Sequence, residues 1–566
     1  MAFDLKSFAA QVRPSGRRSS PEPFSNSIFD AGSPQYVRPE DLYLDIQRSL
    51  FNLERKSKED LGDIDPSDFR VRWLAHGTGG LTLKRVGAVS NEDLADSVMG
   101  LLRCPKRSKQ LHPTLLPIIP ELGFYKNIGQ RMPNFLSDQL RPALSFADNV
   151  GFSRRIHELK NRIYRGTHKD DSLMQLAAAL LPPVAGSCLQ PISPPLEIHD
   201  GPLLRDFLST PSLALPVCKS FIETIDSLIS LEPCLPRILW SRWLTAALRL
   251  WLPLFFLKRC AVTSSAAQII KNVLECNTVQ SPAKISLTLY GANCLLRGSN
   301  EWLNQLTPII QSYVRARFEI SILLELSNLL VRLKSHAINP EDPAQQQKVI
   351  RELSLYEVVA TSTTTNPLPD AEGLFASVKL SMPGDTGSRR LPFDVWLDWI
   401  VANRSSMDAL AKVIGADDVP SLIERVYSFV RPEYEPLKNG FTKNMREFVV
   451  YNLGAPLKAD RDPEFPDEYN LIYRGEGGRR SRQIMIQPGP ELLALLVQIV
   501  SHQAKSRYQT TAKLSDLLDL FDNLGVDFRS SPDDFEALKV DLLKHGLLQS
   551  SADAAEAASL KPSFSL

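Results

Sequence analysis

Histidine, cysteine and carboxylate side chains could form a metal site or a catalytic cluster, but their spacing in this chain predicts neither. The 566 residues include eight histidines and seven cysteines. None of them lies in the C-x-x-C, H-x-H or G-x-S-x-G patterns that zinc binding or acyl transfer would use. The segment 76–84 (HGTGGLTLK) lacks the G-K-[ST] ending of a phosphate-binding loop. We therefore expect no catalytic residue, no metal and no cofactor, and the sequence favours a protein that is not an enzyme.

An active site that assembles only in the folded chain is the alternative. A nuclease of the PD-(D/E)xK type needs an acidic residue followed by Glu-x-Lys, so that magnesium is bound and a water is activated. Asp370 is followed by Glu372 and then by Lys379, which is not that spacing. A metal-dependent nuclease with carboxylates from distant segments stays open.

Two arginine-rich segments could bind nucleic acid, and the first is 153–169 (SRRIHELKNRIYRGTHK). It contains six Lys and Arg residues and one acidic residue. Ile156, Leu159 and Ile163 recur at helical spacing, which predicts an amphipathic helix with basic residues on its other faces. A solvated helix surface without a ligand is the alternative interpretation. The candidate phosphate contacts are Arg154, Arg155, Arg162 and Arg165.

The second basic segment is 474–482 (RGEGGRRSR). Short strand-like runs precede and follow its glycines, which predicts a β-hairpin with a basic turn. Glycine lets backbone amides approach an anion closely, so this turn is the best candidate for a nucleic-acid contact. A flexible surface turn is the alternative. The candidate contacts are Arg474, Arg479, Arg480 and Arg482.

The C-terminal residues have the pattern of a winged helix. Three helical segments follow position 489, and the third begins with the cap Ser531 and Pro532 and stops at Gly546. Weakly strand-like runs at 547–550 and 559–564 would form the wing. The third helix (PDDFEALKVDLLK) is acidic, whereas a helix that reads the major groove presents Arg, Lys, Asn or Gln. This pattern favours docking to a protein.

Leucine, isoleucine, alanine and tryptophan at helical spacing predict a mainly α fold, a multidomain helical bundle or an irregular α-solenoid. No fixed repeat is found between 173 and 333, which disfavours a regular array. Shifts in composition divide the chain. The predicted segments are a flexible arm at 1–38, a mostly helical domain at 39–170, a central helical domain at 171–359, a linker or exposed loop at 360–392, a helical segment with the basic hairpin at 393–488 and the winged-helix-like domain at 489–566.

Composition points to a cytoplasmic protein. The formal net charge is +1 and the charged fraction is 23%, so any attraction to DNA must be local. The cysteines are odd in number and mostly lie in apolar runs, as buried thiols do in a reducing compartment. The apolar stretch 238–257 contains Arg242 and Arg249 and is interrupted by Pro253, which predicts a buried core helix and not a membrane span.

The last 115 residues or so, from Tyr451 through the hairpin to the segments LSDLLDLFDNLGVDF and LKVDLLKHGLL, resemble accessory proteins of bacterial antiphage systems linked to DNA modification, of the phosphorothioation-dependent restriction type. The resemblance implies a helical, non-catalytic partner of an ATPase, helicase or nuclease that acts on foreign DNA. It supplies no catalytic residues. We expect a scaffold or adaptor subunit, which either contacts DNA through its basic segments or docks proteins only.

Overall fold

The computed structural model describes residues 4–11, 155, 158–159, 215–235, 237–275, 296–297, 302–362, 392–454, 469–474, 484–509, 511–549 and 556–564. About 80% of this part of the chain is helical, which confirms the mainly α fold. Most of the predicted arm, N-terminal domain and linker lies outside the described residues.

The described part of the chain contains eleven α-helices and four short strands, numbered in chain order. The helices are α1 (Leu5–Gln11), α2 (Leu215–Leu231), α3 (Arg237–Glu275), α4 (Trp302–Ser335), α5 (Gln346–Ser362), α6 (Pro392–Ala402), α7 (Arg404–Ile414), α8 (Val419–Leu453), α9 (Pro490–Ser506), α10 (Leu514–Leu524) and α11 (Pro532–Lys544). The strands are β1 (Leu296–Arg297), β2 (Ile472–Arg474), β3 (Ile484–Ile486) and β4 (Val526–Asp527). Strands β1 and β4 pair in parallel, and β2 and β3 pair antiparallel.

Three long helices form the centre of the molecule. Helix α3 packs on α4, and α8 packs on both of them, an arrangement typical of a helical bundle. The apolar stretch predicted as a core helix is part of α3, and its residues Trp240, Trp243 and Trp251 are buried. No described helix is long and apolar enough to cross a membrane.

The chain start and the C-terminal helices pack on this bundle. Helix α1 lies against α8 and α5 with Phe8 buried, so the first residues of the predicted arm are helical. Helices α9 and α10 pack on α2. The Phe564 ring meets Trp243 of α3 edge-on at 5.8 Å. The C-terminal residues therefore share one apolar core with the bundle.

Long helices continue through prolines where local sequence predicts a break. Pro253, expected to interrupt the apolar stretch, lies inside α3, and α8 runs through Pro432 and Pro436. An internal proline removes one helical hydrogen bond and clashes with a preceding carbonyl, at a cost of about 3 kcal/mol. Burial offsets this cost: Tyr434, between the two prolines of α8, is fully buried, and its hydroxyl donates to the Val314 carbonyl of α4 at 2.6 Å.

An arginine joins α4 to α8 beside this contact. The Arg315 guanidinium donates to Glu319 on its own helix at 2.7 Å and to Glu424 of α8 at 2.6 Å. Its central carbon lies 3.8 Å from the centroid of the Tyr427 ring. Burial lowers the pKa of Arg315, but the two carboxylates outweigh it and the pKa is raised. The positive charge is therefore held at this helix interface.

Helix α8 ends where the β2–β3 pair begins. Gly454 caps the helix with φ of 108°, a left-handed conformation that glycine adopts without strain. A Cβ on Gly454 would lie 2.1 Å from Cγ of Asn470. Leu471 donates its backbone N–H to the Leu453 carbonyl at 3.0 Å. The close approach of this glycine and asparagine fixes where the hairpin leaves the bundle.

We expect Gly454→Ala to lower the free energy of unfolding by about 2 to 4 kcal/mol, because alanine adds both backbone strain and a steric clash. Gly440→Ala in the same helix is the matched control, since its Cβ would meet nothing within 4 Å. It should raise stability by about 0.5 to 1 kcal/mol through higher helix propensity. Chemical denaturation followed by circular dichroism at 222 nm measures both, and equal effects would contradict the close approach at Gly454.

Candidate interaction surfaces

Arg155 is the one candidate phosphate contact of the first basic segment within the described residues. Its Nε donates to both carboxylate oxygens of Asp226 on α2, at 2.5 and 2.6 Å. The neighbouring Leu159 is buried, as its place on the apolar stripe predicts. A phosphate at Arg155 would compete with this charge-assisted pair. Arg154, Arg162 and Arg165 lie outside the described residues.

The predicted β-hairpin is confirmed at its paired strands. Ile472 pairs with Ile486, and Arg474 at the end of β2 pairs with Ile484. Its base is tied down by two backbone hydrogen bonds, Gln487 to the Leu471 carbonyl and Gly489 to the Asn470 carbonyl. The basic connection between the strands thus starts from a fixed base. Arg479, Arg480 and Arg482 lie outside the described residues.

The C-terminal residues contain the three predicted helices, with the short strand β4 between α10 and α11, but the winged-helix fold itself stays a prediction. Ser559 bridges Lys513, which precedes α10, and Leu560 bridges Leu548, which follows α11. The segment around 559–560 thus hydrogen-bonds on both sides, for example from the Leu560 N–H to the Ala512 carbonyl at 2.8 Å. The contacts are isolated bridges and not full strands. The described segments 489–509, 511–549 and 556–564 are called the C-terminal module below.

The chain end is held to this module and to the bundle together. The Gln498 amide of α9 donates to the Phe564 carbonyl and accepts from its N–H, both at 3.1 Å. Gln498 is fully buried, and a buried amide is stable only when it is hydrogen-bonded. The module is therefore anchored by polar as well as apolar contacts.

Helix α11 begins as the sequence predicts and presents an acidic and apolar face to solvent. Ser531 accepts a hydrogen bond from the Asp534 N–H at 3.3 Å. Only Leu538 and Leu542 of this helix are buried. Val540 is 59% exposed and Leu543 is 43% exposed.

The exposed residues of α11 lie together because of helical spacing. Glu536, Val540 and Leu543 are separated by four and three residues, so they share one side of the helix. Asp533 and Ala537 are exposed beside them. We call these five residues the α11 face. This face was not identified from the sequence. The sequence does signal it, because Val540 and Leu543 are apolar but do not lie on the side of the helix that carries the buried Leu538 and Leu542.

Two basic residues near this acidic surface are paired with carboxylates, whereas Lys544 at the end of α11 is exposed and takes part in no ion pair within the described residues. Lys539 of α11 lies 3.0 Å from the Glu536 carboxylate. Arg529 contacts Asp519 at 2.8 Å, Glu556 at 3.6 Å and also Asp522. Partial burial lowers the pKa of Arg529, but these carboxylates outweigh it and the pKa is raised. Arg529 and Lys539 are therefore less available to phosphate than Lys544.

Comparisons with known proteins identify no relative. No family model, no curated protein and no solved structure matches this chain. Within the described ranges, no group of three or more His, Cys, Asp or Glu side chains could hold a metal ion. The resemblance to antiphage accessory proteins stays a prediction.

Arg529 should stabilise the module by neutralising the acids around it. We expect Arg529→Gln to lower the free energy of unfolding by about 1 kcal/mol at pH 7, since several charge pairs of a network are lost together. The loss should shrink at 500 mM NaCl, which screens the remaining repulsion. It should also shrink toward pH 4, because partial burial raises the pKa of Asp522 and protonation removes a repelling charge.

Denaturation curves of the full chain across these conditions provide the measurement. Lys539→Gln is the matched control, since its pair with Glu536 is exposed and lies within one helix; it should change stability by less than about 0.5 kcal/mol. A loss at Arg529→Gln that is insensitive to salt and pH would show that packing, and not charge, explains its role.

Proposed function

We propose that this chain is a non-catalytic adaptor of a bacterial antiphage defence complex, and that its winged-helix-like C-terminal module docks a protein subunit. The partners expected are an ATPase, a helicase or a nuclease that supplies the chemistry. The observation that carries the proposal is the α11 face, where Val540 and Leu543 are exposed on a helix with acidic neighbours.

This face suits a protein better than DNA. A groove-reading helix directs donors to base edges and cations to phosphates. The exposed surface of α11 offers Asp533 and Glu536, which repel phosphates, against Lys544 as the one cation unpaired within the described residues. Lys539 is engaged by Glu536. Exposed aliphatic side chains gain free energy when a partner covers them. These properties support docking of a protein with apolar and basic side chains.

The bundle suits a scaffold role because it holds the module in a fixed position. Helices α9 and α10 pack on α2, and Trp243 of α3 contacts Phe564 near the chain end. A binding surface on a rigid support loses less conformational entropy when the complex forms. The chain can therefore present a partner at a defined place without an active site of its own.

Substitution of the two exposed aliphatic residues tests the docking proposal. We expect Val540→Glu with Leu543→Glu to reduce recovery of the partner at least tenfold when the tagged full chain is purified from its native host after nuclease treatment. Leu355→Glu on α5 is the matched control, since Leu355 is 46% exposed, and it should leave recovery unchanged. Mass spectrometry must identify an ATPase, helicase or nuclease. Undiminished recovery from the double variant would overturn the docking surface.

Contact with DNA through the basic hairpin is a second candidate function, and the paired strands β2 and β3 favour it. Their pairing gives the Gly- and Arg-rich connection a fixed base beside Arg474. Charge reversal at Arg479, Arg480 and Arg482 should weaken duplex binding and reduce the salt slope by about 2 to 3, if each arginine neutralises one phosphate.

Fluorescence anisotropy with a labelled duplex at several salt concentrations measures this effect. Lys348→Glu with Arg351→Glu on the exposed side of α5 is the matched control for a change in net charge. Unchanged binding of the hairpin variant would remove the hairpin from the DNA contact, and no affinity in the unaltered chain would leave a purely protein-docking subunit. Cleavage of the duplex in Mg²⁺ that a chelator abolishes would instead support the nuclease alternative.

A further inference from the structure

Helix α9 ends in a turn whose backbone favours glycine but which carries a tyrosine. The Tyr508 N–H donates to the Lys505 carbonyl and the Gln509 N–H donates to the Ala504 carbonyl, both at 3.0 Å. This pair of hydrogen bonds is the Schellman motif, in which the residue after the cap is left-handed and is usually glycine. Tyr508 has φ of 62°. An L-residue with a Cβ is strained in this conformation.

Nothing in the described part of the chain compensates this strain through packing. The Tyr508 side chain is 99% exposed, so the ring stabilises the fold through no apolar contact. Strained backbone retained without a structural benefit is found at functional sites more than elsewhere. Both faces of the ring are open to solvent, so the ring can be covered from either side.

Two cations precede Tyr508 closely in the chain, Lys505 in the last turn of α9 and Arg507 at its C-cap. Lys505 and Arg507 are exposed, and within the described ranges neither side chain takes part in an ion pair. They differ in this respect from Arg529 and Lys539 of the same module, which carboxylates engage. The end of α9 therefore combines an open aromatic ring with available positive charge.

We propose that Tyr508, Lys505 and Arg507 form a contact site for single-stranded nucleic acid. A base stacks on the open ring while its neighbouring phosphates pair with the two cations, the combination by which proteins bind single strands without reading sequence. A duplex fits less well because its base faces are already stacked. This site is distinct from the α11 face and does not depend on the docking proposal.

Binding of the full chain to a fluorescein-labelled 20-nucleotide oligothymidylate, followed by anisotropy, tests the site. We expect Tyr508→Ala to weaken binding about 5- to 100-fold, the usual effect of removing one base–aromatic stack. Tyr508→Phe should bind within about twofold of the unaltered chain, because the ring is retained. Lys505→Ala with Arg507→Ala should reduce the salt slope by about 1.4, as expected for two phosphate contacts on a single strand.

Two further variants separate the role of the ring from effects on folding. Tyr508→Gly relieves the backbone strain, so its thermal midpoint should equal or exceed that of the unaltered chain while its binding falls as in Tyr508→Ala. Phe429→Ala removes another exposed aromatic ring, 46% exposed on α8, and should leave binding unchanged.

Several outcomes would overturn the proposal. These are no affinity of the unaltered chain for the oligonucleotide, unchanged affinity of Tyr508→Ala, and equal loss in Phe429→Ala. Displacement of the oligonucleotide by an equal concentration of polyglutamate would assign the site to an acidic protein partner. Loss of single-strand binding in the hairpin variant with no loss in Tyr508→Ala would place the contact at the hairpin instead.

Discussion

The packing of α8 across α3 and α4 is the contact on which the other features depend. Arg315 bridges α4 and α8 through Glu424 and the Tyr427 ring, and the buried Tyr434 hydroxyl binds the Val314 carbonyl. These contacts compensate for the prolines within α8 and allow it to reach Gly454 unbroken. The position of the hairpin is set by the end of α8 at Gly454. The C-terminal module is placed by the same bundle, because α9 and α10 pack on α2 and the chain end reaches α3.

Charge is balanced over the whole chain but separated within the C-terminal module. With a net charge of +1, the protein has no overall field to attract DNA, so each local surface determines what it binds. Around α10 and α11 the acidic residues outnumber the cations and engage two of them, Arg529 and Lys539. At the end of α9, Lys505 and Arg507 remain exposed. One small module thus offers surfaces of opposite character, which suits contacts to chemically different partners.

Sequence alone predicted features that depend on neighbouring residues. The Ser531 cap, the paired ends of the hairpin and the burial of Trp240, Trp243 and Trp251 follow from capping, turn chemistry and periodicity, and the structure bears them out. Features that depend on distant residues were not predictable. The helical continuity through Pro253 is decided by packing. The partner of Arg155 is 71 residues away along the chain. The exposure of Val540 and the positive φ of Tyr508 depend on tertiary and backbone geometry, which a pattern of apolar residues does not encode.

An adaptor of the proposed kind contributes to a reaction through position and not through chemistry. If one surface holds a protein and another contacts nucleic acid, each partner meets the other at an effective concentration set by the distance between the two surfaces. A rigid connection between the two surfaces keeps this effective concentration high, whereas a long flexible connection would lower it. The bundle provides such a connection, because the hairpin base and the C-terminal module are both fixed to it by backbone hydrogen bonds and buried side chains. In such an adaptor, a core built around helices of 34 to 39 residues would serve to hold the binding surfaces at constant separation.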